Sequence, residues 1–338
     1  MKKIKLALLG IGRIGKIHFE TIQRDIPEAE IIAVSAARRT KDDFTKEYGD
    51  IFFTNNAIEA IKYPGVDAVL ICTSTSTHAD LLEVCIAEGK DVFCEKPVDL
   101  SLERTIALAQ LIQKTLVKVM LAFNRRFDPD MQQAKKLVTE GKVGDIQILK
   151  ITSRDPGLPS ADFLKTSGGL FLDMVIHDFD MARYITGKEV VEVYSKGAVR
   201  VDEVVKQFDD IDTAVTTLTF DDGSYAVIDN SRKAIYGYDQ RLEIFGNKGM
   251  LQVENNLHHQ TILYNQQGIQ HSPPLDFFMD RYLNSYRQEM KLFIDALVNN
   301  KPMPVTVSDG LQAMRIAIAA KMSVKENRPV KLSEIKTE

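Results

Sequence analysis

The stretch Val92-Phe93-Cys94-Glu95-Lys96-Pro97 places a charged pair directly after a short apolar run. A Glu-Lys pair is not core material, because ionised side chains are seldom fully buried without partners. In an open α/β sheet, residues just past the carboxyl end of a parallel strand face the ligand. We therefore expect Lys96 to reach into a site and Pro97, whose peptide bond can be cis at little cost, to fix the turn that aims it. A surface lysine after an edge strand is the alternative that this stretch alone leaves open.

A second stretch with chemical potential begins at Gly168-Gly169 and continues to Asp180 as a predicted helix. Asp173 and His177 are four residues apart, so they share one helix face, with Asp180 close by. Histidine titrates near neutrality and commonly carries the proton when an alcohol becomes a carbonyl. Asp173 could orient His177 or hydrogen-bond a substrate directly. A simple helix pair explains the spacing equally well, and a metal site would lack a clear third ligand of the His or Cys type.

The glycine motif near the amino terminus lies in the setting that dinucleotide binding requires. A predicted strand from Ile4 to Leu9 runs into Gly10-Ile11-Gly12-Arg13-Ile14-Gly15, and a predicted helix follows. The first glycine permits a tight turn, the second lets the backbone approach a pyrophosphate, and the third lets helix and strand pack closely. The helix amino terminus supplies N–H groups and the positive end of its dipole to the phosphates. The expected cofactor contacts from this loop are Gly10, Gly12, Arg13, Ile14 and Gly15.

The end of the second predicted strand, Glu30 to Ser35, lacks the acidic residue that binds the ribose hydroxyls of NAD. Ala36-Ala37-Arg38-Arg39 follows instead, and arginine suits a 2′-phosphate through forked, charge-assisted hydrogen bonds. The sequence therefore favours NADP over NAD, with Arg38 at the phosphate. The alternative is that the two arginines simply begin the solvated helix that continues to Tyr48.

A run of hydroxyl side chains follows the predicted strand from Val66 to Cys72. These hydroxyls either cap the next helix or line the cofactor cleft beside the glycine loop. His78 stands at that helix start, where the dipole disfavours its charged form, so we do not expect it to act as a base. The cofactor contacts predicted outside the glycine loop are Arg38, Thr73, Ser74, Thr75, His78, Glu95 and Lys96.

The order of predicted elements indicates two domains. Strands and helices alternate as far as Phe123, which is typical of a doubly wound, mostly parallel sheet. Long alternating strands follow later, with an Asp221-Asp222-Gly223 turn typical of a hairpin. We expect an α/β Rossmann domain over residues 1–123 and an α+β domain with an open, largely antiparallel sheet over 124–338. The last long helix, from Ser308 to about Glu326, is expected to return to the first domain.

Composition narrows the functional classes. The chain has 338 residues and a net charge of −4, so no basic surplus indicates nucleic acid or an anionic membrane as partner. No apolar stretch is long enough to span a bilayer. Cys72, Cys85 and Cys94 lie in apolar contexts without Cys-x-x-Cys spacing, which favours reduced thiols, no metal role and a cytoplasmic location.

In this order and at these distances, the motifs resemble the glucose–fructose oxidoreductase/inositol dehydrogenase (Gfo/Idh/MocA) family over essentially the whole chain. Within that family, the inositol 2-dehydrogenases are most similar. Ala36 departs from the family pattern, because NAD-dependent members commonly have an acid there. The resemblance rests on Gly10 to Gly15, Glu95-Lys96-Pro97, Asn124 to Asp128, Gly168-Gly169 with Asp173 and His177, and Tyr236 to Asp239.

The resemblance implies an NAD(P)-dependent dehydrogenase that forms a homodimer or homotetramer, with Lys96, Asp173 and His177 at its site. His177 would take the hydroxyl proton while hydride leaves the same carbon for C4 of the nicotinamide. Lys96 would hydrogen-bond the reacting oxygen. Oxidation of myo-inositol to 2-keto-inositol is the first expectation; another sugar, keto-sugar or dihydrodiol, or a nucleotide sensor without turnover, are the alternatives. Substrate contacts are implied for Arg125, Asp155 and Tyr236, with Tyr286 as a further candidate.

Overall fold

The computed structural model describes residues 3–336 of the chain. Two compact units account for them. The first extends to Phe127 and includes Asn284–Gln312, and the second comprises Asp128–Leu283 with Ala313–Lys336. The domain boundary expected between residues 123 and 124 stays a prediction.

A six-stranded, wholly parallel sheet forms the centre of the first unit, in the order β3-β2-β1-β4-β5-β6. Its strands are nearly continuous apolar runs, as expected when helices cover both faces of a sheet. The predicted doubly wound fold is confirmed. Because the strand order reverses between β1 and β4, the ligand is expected at the carboxyl ends of these strands. The strands are β1 (Ile4–Leu9), β2 (Ala29–Ser35), β3 (Phe52–Thr54), β4 (Ala68–Ile71), β5 (Asp91–Glu95) and β6 (Val119–Ala122).

Helices connect these strands: α1 (Arg13–Asp25), α2 (Lys41–Tyr48), α3 (Ala57–Ile61), α4 (His78–Ala87) and α5 (Leu102–Gln113). Side-chain caps begin several of them; the Ser101 hydroxyl, for example, accepts a hydrogen bond from the Arg104 amide at 3.2 Å. Helix α1 differs, because its N-cap is Gly12 and no side chain caps it. Its first amide groups therefore remain available to a ligand.

A seven-stranded sheet forms the second unit, in the order β12-β11-β7-β10-β9-β8-β15, with a separate β13-β14 hairpin. The expected open, largely antiparallel sheet is confirmed, but β7 and β10 pair in parallel, which the hairpin patterns did not predict. The strands are β7 (Ile146–Arg154), β8 (Val190–Ala198), β9 (Thr213–Phe220), β10 (Tyr225–Ser231), β11 (Asp239–Gly246), β12 (Gly249–Val253), β13 (Ile262–Asn265), β14 (Gly268–His271) and β15 (Val330–Lys331).

Helices of this unit are α6 (Pro129–Thr139), α7 (Ala161–Thr166), α8 (Ile176–Thr186) and α9 (Phe278–Arg281), and a π-helical turn, Phe171–Val175, precedes α8. Two long helices follow, α10 (Leu283–Val298) and α11 (Val307–Glu326). Residues 284–312 belong to the first unit, where the Leu121 amide of β6 donates to the Val305 carbonyl at 3.3 Å. No helix among residues 3–336 is both long and apolar enough for a membrane crossing.

One face of the second sheet buries its side chains, and the other carries an apolar row in register across four strands. Tyr225 of β10 pairs with Ile148 of β7, which pairs with Phe245 of β11, which pairs with Met250 of β12. All four side chains are exposed, by 43 to 54%. We call these four residues the apolar row. Contiguous exposed apolar surface of this kind is typical of an interface.

Candidate active site

The glycine loop after β1 has the geometry of a phosphate cradle. Gly10 has φ +88°, and a Cβ atom there would lie 2.6 Å from the Cys72 carbonyl oxygen. A Cβ atom on Gly15 would lie 2.0 Å from the Gly10 carbonyl oxygen. These two positions therefore require glycine. Around Gly12, by contrast, the described chain has no atom within 4 Å of the added Cβ, so its outer side is open to a pyrophosphate.

Three of the predicted cofactor segments follow β1, β4 and β5, which are neighbours in the sheet. Since parallel strands end at the same edge, the glycine loop, residues 73–78 and Glu95-Lys96 all stand at one edge. His78 is buried and joins two of these segments. Its Nδ1 lies 2.8 Å from the Pro97 carbonyl oxygen and its Nε2 lies 3.1 Å from that of Thr73. The Lys96–Pro97 peptide bond is cis.

The two arginines after β2 differ in their surroundings. Arg39 forms an ion pair with Glu47 and lies over the Tyr48 ring at 5.1 Å. Hydrogen bonds from Tyr48, Lys16 and Arg39 lower the pKa of Glu47 to about 2. Arg38 is exposed and has no ion pair in the described chain, so it alone remains available to a 2′-phosphate.

Two residues expected to bind substrate belong to the first unit. Arg125 lies in a 3₁₀ turn, Asn124–Phe127, directly after β6, and is only 6% exposed. Its neighbour Arg126 donates to the Asp309 carboxylate at 3.0 Å, which anchors the turn. Tyr286 is a buried residue of α10, and its ring meets the edge of the His18 ring at 5.8 Å.

Asp173 and His177 belong to the second unit, where a π-helical turn precedes the regular helix α8. Gly168 and Gly169 have φ of +83° and +87°, and the Leu170 amide donates to the Asp210 carboxylate at 2.9 Å. Asp173 lies inside the π-helical turn, whereas His177 is the second residue of α8. The regular helix assumed from the sequence is therefore wrong here. A π turn contains an extra residue and often marks a functional site.

Arg232 is a hydrogen-bond partner of Asp173. Its Nη1 donates to Asp173 Oδ2 at 3.0 Å, and the arginine side chain is only 1% exposed against 17% for the aspartate. A guanidinium held this close stabilises the ionised carboxylate through a charge-assisted hydrogen bond. Asp173 is therefore fixed by a residue that the motif analysis missed. The one signal in the sequence was position, because Arg232 comes directly after strand β10.

Asp155 and Tyr236 lie near the same edge of the second sheet. The Asp155 amide donates to the Ser231 carbonyl at 2.9 Å, and its carbonyl accepts from the Ala234 amide at 2.6 Å. Since β7 and β10 run in parallel, Asp155 and Arg232 both stand just past the carboxyl end of their strands. This pairing brings two polar positions, 77 residues apart in the chain, to one edge.

The Tyr236 hydroxyl belongs to a polar cluster at this edge. It donates to Asp239 at 2.6 Å and accepts from Arg154 at 3.1 Å. Burial would raise the pKa of Asp239, but hydrogen bonds from Arg241, Tyr236 and Asn255 outweigh it and lower the pKa. Arg154, Lys233 and Tyr236 also line an open cavity of about 470 Å³. Asp155, Asp173 and His177 are not among the residues that line this cavity.

Comparison with known proteins identifies both parts of the chain. Residues 4–123 match the oxidoreductase family with an NAD-binding Rossmann fold, and residues 131–252 match the GFO/IDH/MocA C-terminal domain. A myo-inositol 2-dehydrogenase from Thermotoga maritima is 43% identical over 98% of this chain and 99% of its own length. An inositol 2-dehydrogenase from Rhizobium meliloti is 40% identical, with 98% and 99% coverage.

A solved structure extends the comparison to three dimensions. The scyllo-inositol dehydrogenase from Lactobacillus casei, with bound NAD(H) and scyllo-inositol, superposes with a TM-score of 0.92 at 33% identity. The alignment covers 98% of this chain and all of that one. The matches of both domains, the glycine loop and the motifs all indicate the same family. The chain belongs to the GFO/IDH/MocA family of NAD-binding oxidoreductases.

Proposed function

We propose that this protein is an inositol 2-dehydrogenase, which transfers hydride between a secondary hydroxyl of a cyclitol and a nicotinamide dinucleotide, with myo-inositol as the first substrate. The observation that carries the proposal is the ion pair between Asp173 and the buried Arg232. Asp173 stands four residues before His177, in a chain that belongs to this oxidoreductase family. The relatives named above are inositol dehydrogenases and match this chain from end to end. A sensor of nucleotides would need only the glycine loop.

The residues divide the chemistry as follows. His177 accepts the hydroxyl proton, because an imidazole is the side chain best matched to proton transfer near neutral pH. Lys96, just past β5, donates a hydrogen bond to the oxygen that becomes a carbonyl. Asp173, held in place by Arg232, accepts a hydrogen bond from an adjacent hydroxyl or from His177. A nicotinamide dinucleotide held at the glycine loop would supply the hydride acceptor.

The remaining candidates give the cyclitol its orientation. A polyol loses its hydrogen bonds to water on binding, so each hydroxyl needs a partner in the protein. Arg125, Asp155, Tyr236 and Tyr286 are proposed to provide these partners. An arginine can donate two hydrogen bonds to neighbouring oxygens, which favours vicinal hydroxyl groups.

The cofactor proposal is that the protein binds NADP(H) as well as NAD(H), with a mild preference for NADP(H). No acid stands at Ala36 to repel a 2′-phosphate, and the exposed Arg38 is available to contact it. The open side of Gly12 and the uncapped start of α1 fit the pyrophosphate that both cofactors share.

The proposed assembly is a homodimer or homotetramer that buries the apolar row of the second sheet. The proposed location is the cytoplasm, since Cys72, Cys85 and Cys94 are free thiols, as expected in a reducing compartment.

The test begins with the wild-type protein. Titration with NADH and NADPH, followed by nicotinamide fluorescence, measures cofactor affinity, and the tighter cofactor is then used to screen inositols and sugars. Lys96→Met and His177→Ala are expected to abolish turnover and leave cofactor affinity nearly unchanged. Lys114→Met and His271→Ala, at exposed positions, are the matched controls. Tight cofactor binding without oxidation of any inositol would refute the proposal and favour another sugar, a keto substrate or a sensor.

A further inference from the structure

Three ionisable side chains form a buried cluster in the first unit. His18 lies on α1, Glu95 at the end of β5 and Glu289 on α10. His18 Nε2 lies 3.2 Å from Glu95 Oε1 and 3.9 Å from Glu289 Oε1. The side chains of His18 and Glu289 are fully buried, and that of Glu95 is 17% exposed. Glu95 is a predicted cofactor contact, whereas the chemistry proposed above uses neither His18 nor Glu289.

Glu289 is the unusual member. Neither of its carboxylate oxygens has a hydrogen-bond partner within the described part of the chain, and both are inaccessible to solvent. A second negative charge beside Glu95 in such a place is unfavourable. Burial, and then the charge of Glu95, raise the pKa of Glu289 well above its usual range. Burial of both oxygens without hydrogen-bond partners in the described residues therefore favours the neutral form of Glu289.

The other groups around Glu289 leave this conclusion unchanged. Burial and then the charge of Glu95 also raise the pKa of the Cys72 thiol, which follows β4, so the thiol is neutral. Tyr286, one turn earlier on α10, meets the edge of the His18 ring. His18 Nε2 thus faces both carboxyl groups, at hydrogen-bond distance from Glu95 and farther from Glu289.

The cluster is connected to the proposed chemistry through the chain itself. Glu95 ends β5 and directly precedes Lys96, so the contact between His18 and the Glu95 carboxylate lies one residue from Lys96. The His18 ring that contacts this carboxylate is itself fixed, because it packs against Phe93 of β5 at 4.9 Å. The arrangement joins α1, β5 and α10 through one imidazole.

We propose that His18 and Glu289 are positioning residues for Lys96: His18 hydrogen-bonds the Glu95 carboxylate, and Glu289, as a neutral acid buried 3.9 Å from the same nitrogen, holds the imidazole in place. This inference rests on the proposed function, because it assumes that Lys96 acts on the reacting oxygen. It assigns the buried Glu289 a role that a hydrophobic residue of similar size cannot take. A misplacement of about 1 Å at a reacting group can lower the rate by about 100-fold.

Paired substitutions separate polar positioning from packing. Glu289→Gln keeps the shape and neutral charge of the acid, whereas Glu289→Met keeps only the volume. His18→Gln keeps a donor near Nε2, whereas His18→Phe keeps only the ring. We expect the two Gln variants to retain kcat within about threefold, and Glu289→Met and His18→Phe to lose about 10- to 100-fold in kcat at nearly unchanged affinity for the cofactor.

Two further readouts distinguish positioning from a merely structural role. The pH profile of kcat/KM should shift in His18→Phe, since the charge of Glu95 loses its partner, and should stay in place in Glu289→Gln. The infrared spectrum of the wild type at neutral pH should contain the carbonyl band of a protonated acid, which Glu289→Gln removes. Loss of thermal stability with an unchanged pH profile in all four variants would mean that the cluster only supports the fold.

Three results would overturn the inference. The first is a Glu289→Gln variant as inactive as Glu289→Met, because position 289 would then need an ionised carboxylate. The second is a stoichiometric divalent metal in the purified protein that Glu289→Gln loses, since these three side chains have the geometry to hold a cation. The third is the absence of the infrared band of a protonated acid from the wild type. A wild type that oxidises no inositol would refute the proposed function and the role for Lys96, whereas the infrared result would still decide the protonation of Glu289.

Discussion

Replacement of Arg232 by methionine is the most direct test of the site in the second unit. The change removes a buried guanidinium and leaves the Asp173 carboxylate, 17% exposed, without this donor. Removal of one partner from a buried ion pair costs about 3–5 kcal/mol. We expect a loss of about 2–3 kcal/mol, below that range, for two reasons. The carboxylate has some access to water, and Nε and Nη2 of Arg232 are themselves buried without partners in the described residues.

The effect on catalysis follows from the displacement of Asp173. If Asp173 binds the substrate or orients His177, loss of its anchor should lower kcat/KM by about 100-fold, equivalent to about 2.7 kcal/mol in transition-state free energy. Asp173→Asn should cause a similar loss, because it removes the ionised acceptor. The double variant should then be no worse than either single variant. The coupling energy between the two positions would be about 2.7 kcal/mol.

The assay is a double-mutant cycle on kcat/KM for inositol oxidation, with thermal unfolding of each variant as a check on folding. Arg328→Met is the control, because Arg328 pairs with Glu334 at an exposed position of the same unit. It should leave kcat/KM within about twofold, as expected for a surface pair. Additive losses in the cycle, or wild-type kcat/KM in Arg232→Met, would refute the assignment of Arg232 as the anchor of Asp173.

Other predictions concern the cofactor and the assembly. Gly12→Ala should fold normally, since its Cβ would meet open space, but it should bind dinucleotide at least about tenfold more weakly. Gly15→Ala should unfold at a lower temperature, because its Cβ would clash with the Gly10 carbonyl oxygen. Equal unfolding temperatures of the two variants would contradict this packing argument. Arg38→Asp should weaken NADPH more than NADH in fluorescence titrations, and equal effects would contradict the contact with the 2′-phosphate. Ile148→Lys should lower the molar mass measured by light scattering, while Tyr264→Lys on the β13-β14 hairpin should not; an unchanged mass in Ile148→Lys would exclude the apolar row as the interface.

Local patterns explain most of what the sequence predicted. The glycine loop, its flanking strand and its helix lie within about two dozen consecutive residues, so spacing alone determined their arrangement. The hairpin between β9 and β10 was equally visible, because the Asp-Gly turn and the alternating strands are adjacent in the chain. The parallel pairing of β7 and β10 was not visible, since it joins segments about seventy residues apart.

The missed residues of the site share this non-local character. Arg232 contacts Asp173 although the two residues are 59 positions apart, and no local sequence motif links them. Glu289 lies on α10 between Tyr286 and Met290, which are both buried. Its burial beside Glu95 depends on where α10 packs, which periodicity does not reveal. The π-helical turn around Asp173 likewise has no signature in a helical pattern.

The parallel pairing of β7 and β10 also gives the second sheet one end near the proposed site and one end away from it. Asp155 and Arg232 follow the two strands at one end, whereas the Asp221-Asp222-Gly223 turn precedes β10 at the other. Six residue steps of β10 separate these ends, or about 20 Å at the rise of an extended strand. A dye or surface tether attached at the exposed Asp221 should therefore leave Asp155 and Arg232 undisturbed, because they lie at the opposite end of the paired strands.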